Sequence, residues 1–472
     1  MSSAKEPVTR RFGNGLTVLI KEDKSDPVVS LQYWVGTGSM NEGHWQGSGL
    51  SHLLEHLVFK GTAHFSGQEL ARKVQERGGH WNAYTSVNRT VYYIDGPAES
   101  WQIFLNLLTE LVFFPTFPED EMEREKEVVR REMAMYADDP DSVAYQLLMQ
   151  TLYLKHPRRW PVLGERAAFD CLTRQDVLDY HASRYVPNNV VLSIAGDVDA
   201  AEILSHLELL VEDLKSRPLN REPIPHEPHQ FGSRRVRKEF AVPYSKLHLA
   251  WRLPCSAHPD TPALSALSSI LGGGRSARFY EKFHDRLGLV YSIEVHSNQS
   301  ETDEGAFTIS MDVDRAQRDK VRDLVLQELR NLAEEDFTED LKRVCKQTRV
   351  SRLRRRSSAS GVASEMGADW FGSRNLNMSS EWQEAIERVT TEDLHRVCST
   401  WLSSPNVTEV SLDPPGSNAG DEERASASAG TALSEHVLGN GMKVVIREDH
   451  RLPLAYACMA FKAGCRAENE HD

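Results

Sequence analysis

The chain has 472 residues, 40% of them hydrophobic, six cysteines and a formal net charge of −14. That length supports more than one core, while the acidic balance argues against nucleic-acid partners and anionic membranes, both of which would repel it. The cysteines, Cys171, Cys255, Cys345, Cys398, Cys458 and Cys465, show neither a C-x-x-C pair nor secreted-scaffold density and read as reduced core residues.

Residues 1–14 lack an apolar leader, and no stretch is long enough to cross a bilayer, so a cytoplasmic location is expected. The first element that carries chemistry is His52-Leu53-Leu54-Glu55-His56. Its leucines predict a short helix with Ser48 as N-cap and Lys60-Gly61-Thr62 as its stop. On that helix His52 and His56 stand one turn apart on one face with Glu55 beside them. Two imidazoles begin a zinc site, but zinc needs a third protein ligand, with the fourth position left to water if the site is catalytic.

After Pro115 and Pro118, residues 119–136 predict a long charged helix with an apolar stripe at Met122, Val129, Met133 and Tyr136. Glu125 and Glu132, two turns apart, intrude on that stripe. A carboxylate on a buried face is costly unless it is paired or bound to a cation. Glu132 is therefore expected to be the third ligand, and Glu125 a nearby acid that orients a ligand.

Further along, the proline-rich polar segment 216–235 divides the chain, and each side runs through strands and helices to a closing strand, 190–195 and 407–412. Gly272-Gly273-Gly274 has no following G-K-[ST] and reads as a hinge or turn rather than a phosphate loop. The basic run 352–356 reads as the solvated face of a helix. Residues 413–432, rich in Pro, Gly, Ser and Ala, read as a flexible linker. Beyond it Gly13-Asn14-Gly15 returns as Gly439-Asn440-Gly441, and Val18, Ile20, Glu22, Asp23, Pro27, Gly38 and Glu42 return at the same shift of 426 positions. A constant register over that many matches marks 433–472 as the truncated start of a second repeat unit. Its strands, expected at 433–449 and 454–461, would lack their sheet and be mobile, loosely packed, or free to recruit another chain through an open edge.

Taken together these segments resemble the pitrilysin/insulysin family of zinc metallopeptidases, whose signature is an inverted H-x-x-E-H with a glutamate far downstream. The likeness extends through Gly36 to Met40, Phe59-Lys60-Gly61-Thr62, Gly79 to Thr85, Thr90-Val91-Tyr92-Tyr93, Tyr185-Val186-Pro187-Asn188-Asn189 and Ala195-Gly196-Asp197. The resemblance implies an α+β fold of two similar domains, each a mainly antiparallel sheet packed with helices, forming half of a clamshell. On that basis 1–215 is the catalytic domain, 216–235 a linker, and 236–412 a second domain of the same fold that binds no zinc. It also implies one Zn2+ per chain on His52, His56 and Glu132, with Glu55 as general base. Substrate would lie along a sheet edge near Asn82, Ala83 and Tyr84. Family members carry an Arg and a Tyr that grip substrate; here His284 stands in the arginine's place ahead of Tyr291, which weakens the clamp at pH 7.

The expected activity is zinc-dependent endoproteolysis of extended peptides or unfolded proteins, by a homodimer or by one half of a longer enzyme. A catalytically silent peptide-binding or scaffold subunit that needs a partner half is the alternative. A small-molecule hydrolase is disfavoured because no further Asp/His cluster adjoins the motif.

Overall fold

The molecule is described from a computed structural model at residues 6–219, 223–299, 304–402, 405–416, 434–446 and 459. Its contacts divide the chain into two units, Met1–Pro414 and Pro415–Asp472.

The first unit contains two large sheets. One is built from β1 (Val8–Arg11), β2 (Thr17–Glu22), β3 (Val28–Val35), β4 (His80–Thr85), β5 (Thr90–Pro97) and β6 (Val190–Gly196), in the order β1-β2-β6-β3-β5-β4. The other comprises β7 (Arg234–Glu239), β8 (Ser245–Leu253), β9 (Val290–Asn298), β10 (Gly305–Val313) and β11 (Thr408–Asp413), in the order β7-β11-β8-β10-β9. With β1 set aside, the two topologies are the same. In each, the last strand inserts parallel to the first and antiparallel to the second. The inserted strands are central and buried along their whole length; β6 reads accordingly as a near-continuous apolar run, whereas β11 carries two buried carboxylates, Glu409 and Asp413. Strand β4 is at an edge and alternates exposed with half-buried residues.

Helices follow the same duplication. Between β3 and β4 lie α1 (Leu50–Val58) and α2 (Gly67–Gln75). Between β5 and β6 lie α3 (Trp101–Phe113), α4 (Glu119–Asp138), α5 (Pro140–Leu152), α6 (Arg166–Asp170) and α7 (Arg174–Arg184), and α8 (Ala200–Leu210) follows β6. In the second half α9 (Thr261–Gly272) takes the place of α1. Then α10 (Arg318–Asn331), α11 (Thr338–Arg355), α12 (Ala359–Ser373), α13 (Met378–Glu387) and α14 (Thr391–Val397) lie between β10 and β11.

Most helices cover one face of their own sheet and form a core there. The opposite faces are covered by exchange. Leu148, Met149, Leu152 and Tyr153 at the end of α5 pack on Ala250, Ala306 and Val410 of the second sheet. In return, Val362, Ala363 and Met366 of α12 pack on Leu19, Trp34, Val91 and Val191 of the first. Gly367 permits that approach, because a Cβ there would lie 2.4 Å from Trp34 Nε1.

Several expectations change. Within the 216–235 linker, Glu227 accepts the backbone N–H groups of Leu154, Lys155 and His156 at 2.7, 2.8 and 3.0 Å and so ties the linker to the end of α5. Arg234 and Arg235 already belong to β7, so the second sheet begins two residues before the expected 236. Asp413 is not linker; it ends β11, fully buried against the equally buried Arg318 guanidinium. The basic run keeps Arg354, Arg355 and Arg356 exposed, as expected of a solvated face, but Arg352 and Arg356 also reach the buried Glu365 at 3.1 and 2.6 Å. Tyr136 is exposed and leaves the stripe of α4 after Met133.

In the second unit, the strand expected over 433–449 is a hairpin, β12 (Ser434–Val437) and β13 (Lys443–Ile446), because Gly439-Asn440-Gly441 turns the chain. It repeats the first hairpin residue for residue. Val8 faces Ile20 and Arg11 faces Thr17, while Ser434 faces Ile446 and Val437 faces Lys443, all at the shift of 426. The turns match as well: Asn14 and Asn440 each accept a backbone N–H two residues on at 3.1 Å, and Gly15 and Gly441 have φ of 91° and 82°. Only the surroundings differ, since β2 is buried beside β6 whereas Val445 and Ile446 are exposed. The strand expected at 454–461 falls outside the described residues, save Met459.

Gly367→Ala should destabilise the protein by about 1–3 kcal/mol, because Trp34 is closely packed and cannot retreat freely. Gly13→Ala, where nothing lies within 4 Å of the added Cβ, should be near neutral. Equilibrium urea unfolding of the two variants measures the difference.

Candidate metal centre

The motif helix α1 starts at Leu50, not at a Ser48 cap. Its N-cap is Gly49 at φ 73°, where a Cβ would lie 2.1 Å from the Leu163 carbonyl oxygen. The first turn is held from a distance. Glu42, fully buried, accepts the Ser51 backbone N–H at 2.8 Å, and Tyr180 joins Ser51 Oγ to Thr37 at 2.7 and 2.6 Å. Burial pushes the Glu42 carboxyl up to about 8 despite these hydrogen bonds, so at pH 7 it is mostly neutral. Leu50, Leu53, Leu54, Leu57 and Val58 bury the other side of the helix completely. His52, Glu55 and His56 are thereby turned to its half-exposed face.

Helix α4 crosses α1 and brings Glu132 to both imidazoles. Glu132 Oε2 is 3.9 Å from His52 Nε2 and 3.8 Å from His56 Nε2, and one donor atom from each of the three lies within 4.8 Å of the others. Bonds of about 2.0–2.1 Å to a tetrahedral zinc would set donors roughly 3.3–3.4 Å apart. Small side-chain movements would therefore close the set on an ion. Two turns earlier, the buried Glu125 accepts His56 Nδ1–H at 3.1 Å and Lys60 Nζ at 2.6 Å. A carboxylate acceptor fixes the proton on Nδ1 and leaves the Nε2 lone pair directed at the cluster.

Electrostatics suit a cation. Burial, with His56 adding to it, lowers His52 to about 3, so that ring is a neutral ligand. For His56, burial opposes protonation, but its hydrogen bond to the Glu125 carboxylate and the charges of Glu132 and Glu55 outweigh it and raise the pKa. Glu125 is desolvated, yet its bonds to His56 and Lys60 hold it below the ordinary carboxylate range. Glu55 is raised, mainly by burial, and Thr85 Oγ1 donates to its Oε2 at 2.5 Å.

The structure thus brings His52, Glu55, His56, Glu125 and Glu132 together. Thr85 and Glu42 are contacts that helical spacing did not reveal; for Glu42 the available signal was its place in the repeat. Asn82, Ala83 and Tyr84 lie on edge strand β4, which runs into Thr85. His284 stacks on Tyr280 and bonds Asp285, and Tyr291 packs by Tyr244. No hydrogen bond or ion pair joins either to the cluster among the described residues. In the second half, α9 carries no His or Glu where α1 has its motif.

Comparison with known proteins places the chain in a family. The family described as insulinase (peptidase family M16) matches residues 17–166, and the peptidase M16 inactive domain matches residues 172–347. An uncharacterized zinc protease of Rickettsia felis is 27% identical over 84% of this chain and 94% of its own. The uncharacterized zinc protease YmxG of Bacillus subtilis is 27% identical over 81% and 92%. A protease from Helicobacter pylori has a crystal structure with a TM-score of 0.79, at 26% identity, covering 87% of this chain and 100% of that one.

The folded state holds the Glu42 proton above the carboxyl's ordinary value near 4.5. Its contribution to stability is therefore full below that pH and lost as pH rises through about 8. Glu42→Gln should remove this loss, so that urea midpoints measured from pH 5 to 9 fall less steeply than those of the parent.

Proposed function

For a chain that belongs to the insulinase-type M16 peptidase family, we propose zinc-dependent endoproteolysis of extended peptides. The observation that carries it is the convergence of His52, His56 and Glu132 on one point with Glu55 beside them as an acid that need not bind the ion. Zinc, when held by those three residues, supplies Lewis acidity that acidifies water and polarises a carbonyl. Glu55 takes the proton of the attacking water and returns it to the departing amine nitrogen. Its raised affinity for protons suits the second task, and the Thr85 hydroxyl holds the carboxylate in one orientation. Glu125 keeps His56 in the tautomer that can bind metal.

The peptide lies along the free edge of β4, whose backbone groups can pair with an extended chain and whose last residue touches Glu55. Such pairing reads main chain rather than side chains, so specificity is broad. A second unit of the same fold completes the site. The hairpin at 434–446 supports a tandem source for that unit, and a second copy of the chain is the other. Among the described residues no helix is long and apolar enough to cross a membrane, which suits a substrate met in solution.

Glu55→Gln should retain stoichiometric zinc by elemental analysis yet lose at least about 100-fold in the rate of cleaving a quenched fluorescent peptide. His52→Ala should lose the metal and the activity together. Wild-type zinc content without cleavage would favour the silent peptide-binding subunit instead.

Removing the Glu125 bond with Glu125→Ala should weaken zinc affinity by roughly 10–100-fold, measured by competition with a coloured chelator. An unchanged affinity would mean that His56 is oriented by packing alone.

A further inference from the structure

A cavity of about 780 Å³ lies away from the metal centre, where the ends of β2, β3 and β6 at Thr17, Gly36 and Val190 meet the C-terminal end of α12 and residues 223–224. Its polar lining is one-sided. Arg11 and Arg374 both line it, no aspartate or glutamate does, and neither guanidinium has a hydrogen bond or ion pair among the described residues. Asn41, also in the wall, uses its side-chain oxygen to accept the Gly38 N–H at 3.2 Å, which leaves its amide N–H groups as the part available to a ligand. Trp370 adds an aromatic ring to the wall.

In a chain of net charge −14, two guanidinium groups sharing a cavity with no carboxylate among the described lining residues is an unusual arrangement. Their mutual effect is visible: burial, and then the charge of Arg11, lower the proton affinity of Arg374. An acceptor with negative charge would relieve that repulsion and accept from both guanidinium groups and the Asn41 amide. The basic cavity between α11 and α12 offers no such case, because Glu365 and Asp369 already line it beside Arg352 and Arg356.

The volume and the remaining walls narrow the ligand. The space falls within the range of about 300–1,000 Å³ usual for small-ligand sites, far more than an inorganic anion fills. Phe371, Ile224 and Val190 give it apolar surface. We propose that this cavity binds the free C-terminal carboxylate of a short peptide, with Arg11, Arg374 and Asn41 on the carboxylate and the apolar wall, the Trp370 ring included, on its last side chain. The peptide as ligand class rests on the peptidase reading, since hydrolysis leaves new carboxylate ends; the carboxylate preference rests on the cavity itself.

Binding, not turnover, tests it. Zinc-loaded full-length Glu55→Gln protein would be titrated calorimetrically with an N-acetylated tetrapeptide ending in leucine, with its C-terminal amide, and with inorganic phosphate. The acid should bind, with the amide and phosphate each at least about tenfold weaker. Arg11→Gln and Arg374→Gln should each weaken the acid by roughly 10–100-fold, with circular dichroism and zinc content unchanged. The acid should also perturb tryptophan fluorescence saturably, and Trp370→Phe should abolish that signal. Equal binding of acid and amide, phosphate binding as tightly as the peptide, binding untouched by both arginine changes, or no binding at millimolar peptide would each overturn the assignment. Because none of these readouts needs cleavage, an inactive parent chain with a carboxylate-specific cavity would sink the peptidase reading and leave this site standing.

Discussion

A single sheet has two faces to cover, and in this protein each half of the first unit covers only one of its own. The second face of each sheet is buried by a helix from the other half: the end of α5 on the second sheet, α12 on the first. This exchange is the constraint on which the rest depends. It makes the two halves one cooperative object, since pulling them apart would expose Leu148, Leu152, Trp34 and Met366 together, at a cost of about 25 cal/mol for each Å² of apolar surface. It also fixes α4, because α5 follows it after a single residue, Asp139, and cannot move without leaving the second sheet.

The candidate metal centre inherits that fixity. Glu132 reaches the imidazoles of α1 only while α4 holds its crossing of α1, and α4 is tethered at its end by the exchanged helix. At the other side α1 is anchored by a neutral buried carboxyl, Glu42, rather than by an exposed cap. That choice keeps the entrance of the helix dry and uncharged while the half-exposed face gathers two imidazoles and three carboxylates. Lys60 offsets one of those charges through Glu125, and the remaining negative field is what a divalent cation would neutralise.

Duplication explains both the symmetry and its limits. Two halves share strand order and helix order, yet α9 has neither His nor Glu, so the second half retains the scaffold without the chemistry. A third trace of the same unit survives in the hairpin at 434–446, whose register and turn copy the first one. There the local pattern alone suffices, since Asn-Gly turns and alternating strands are specified by a dozen residues; burial is absent because no β6-like neighbour lies beside it among the described residues.

The amino-acid sequence by itself determined the features carried by short-range patterns. Helical spacing put His52, Glu55 and His56 on one face, an acid on an apolar stripe singled out Glu125 and Glu132, the constant shift revealed the repeat, and the resemblance supplied the α+β class. What only tertiary structure decided are the pairings between distant segments, which local propensity does not encode. Arg352 looked solvated until Glu365 met it, Asp413 looked like linker until Arg318 buried it, and nothing in the proline-rich 216–235 segment announced that its Glu227 would hold residues 154–156. Ser48 was a plausible cap by type, but the αL turn at Gly49 passes the task to Glu42. In each case the partner lies on another element, and the sequence between carries no period that would bring the two to mind. The exchange of α5 and α12 belongs to this second class as well, because an amphipathic helix announces that it has an apolar face and not which sheet will cover it.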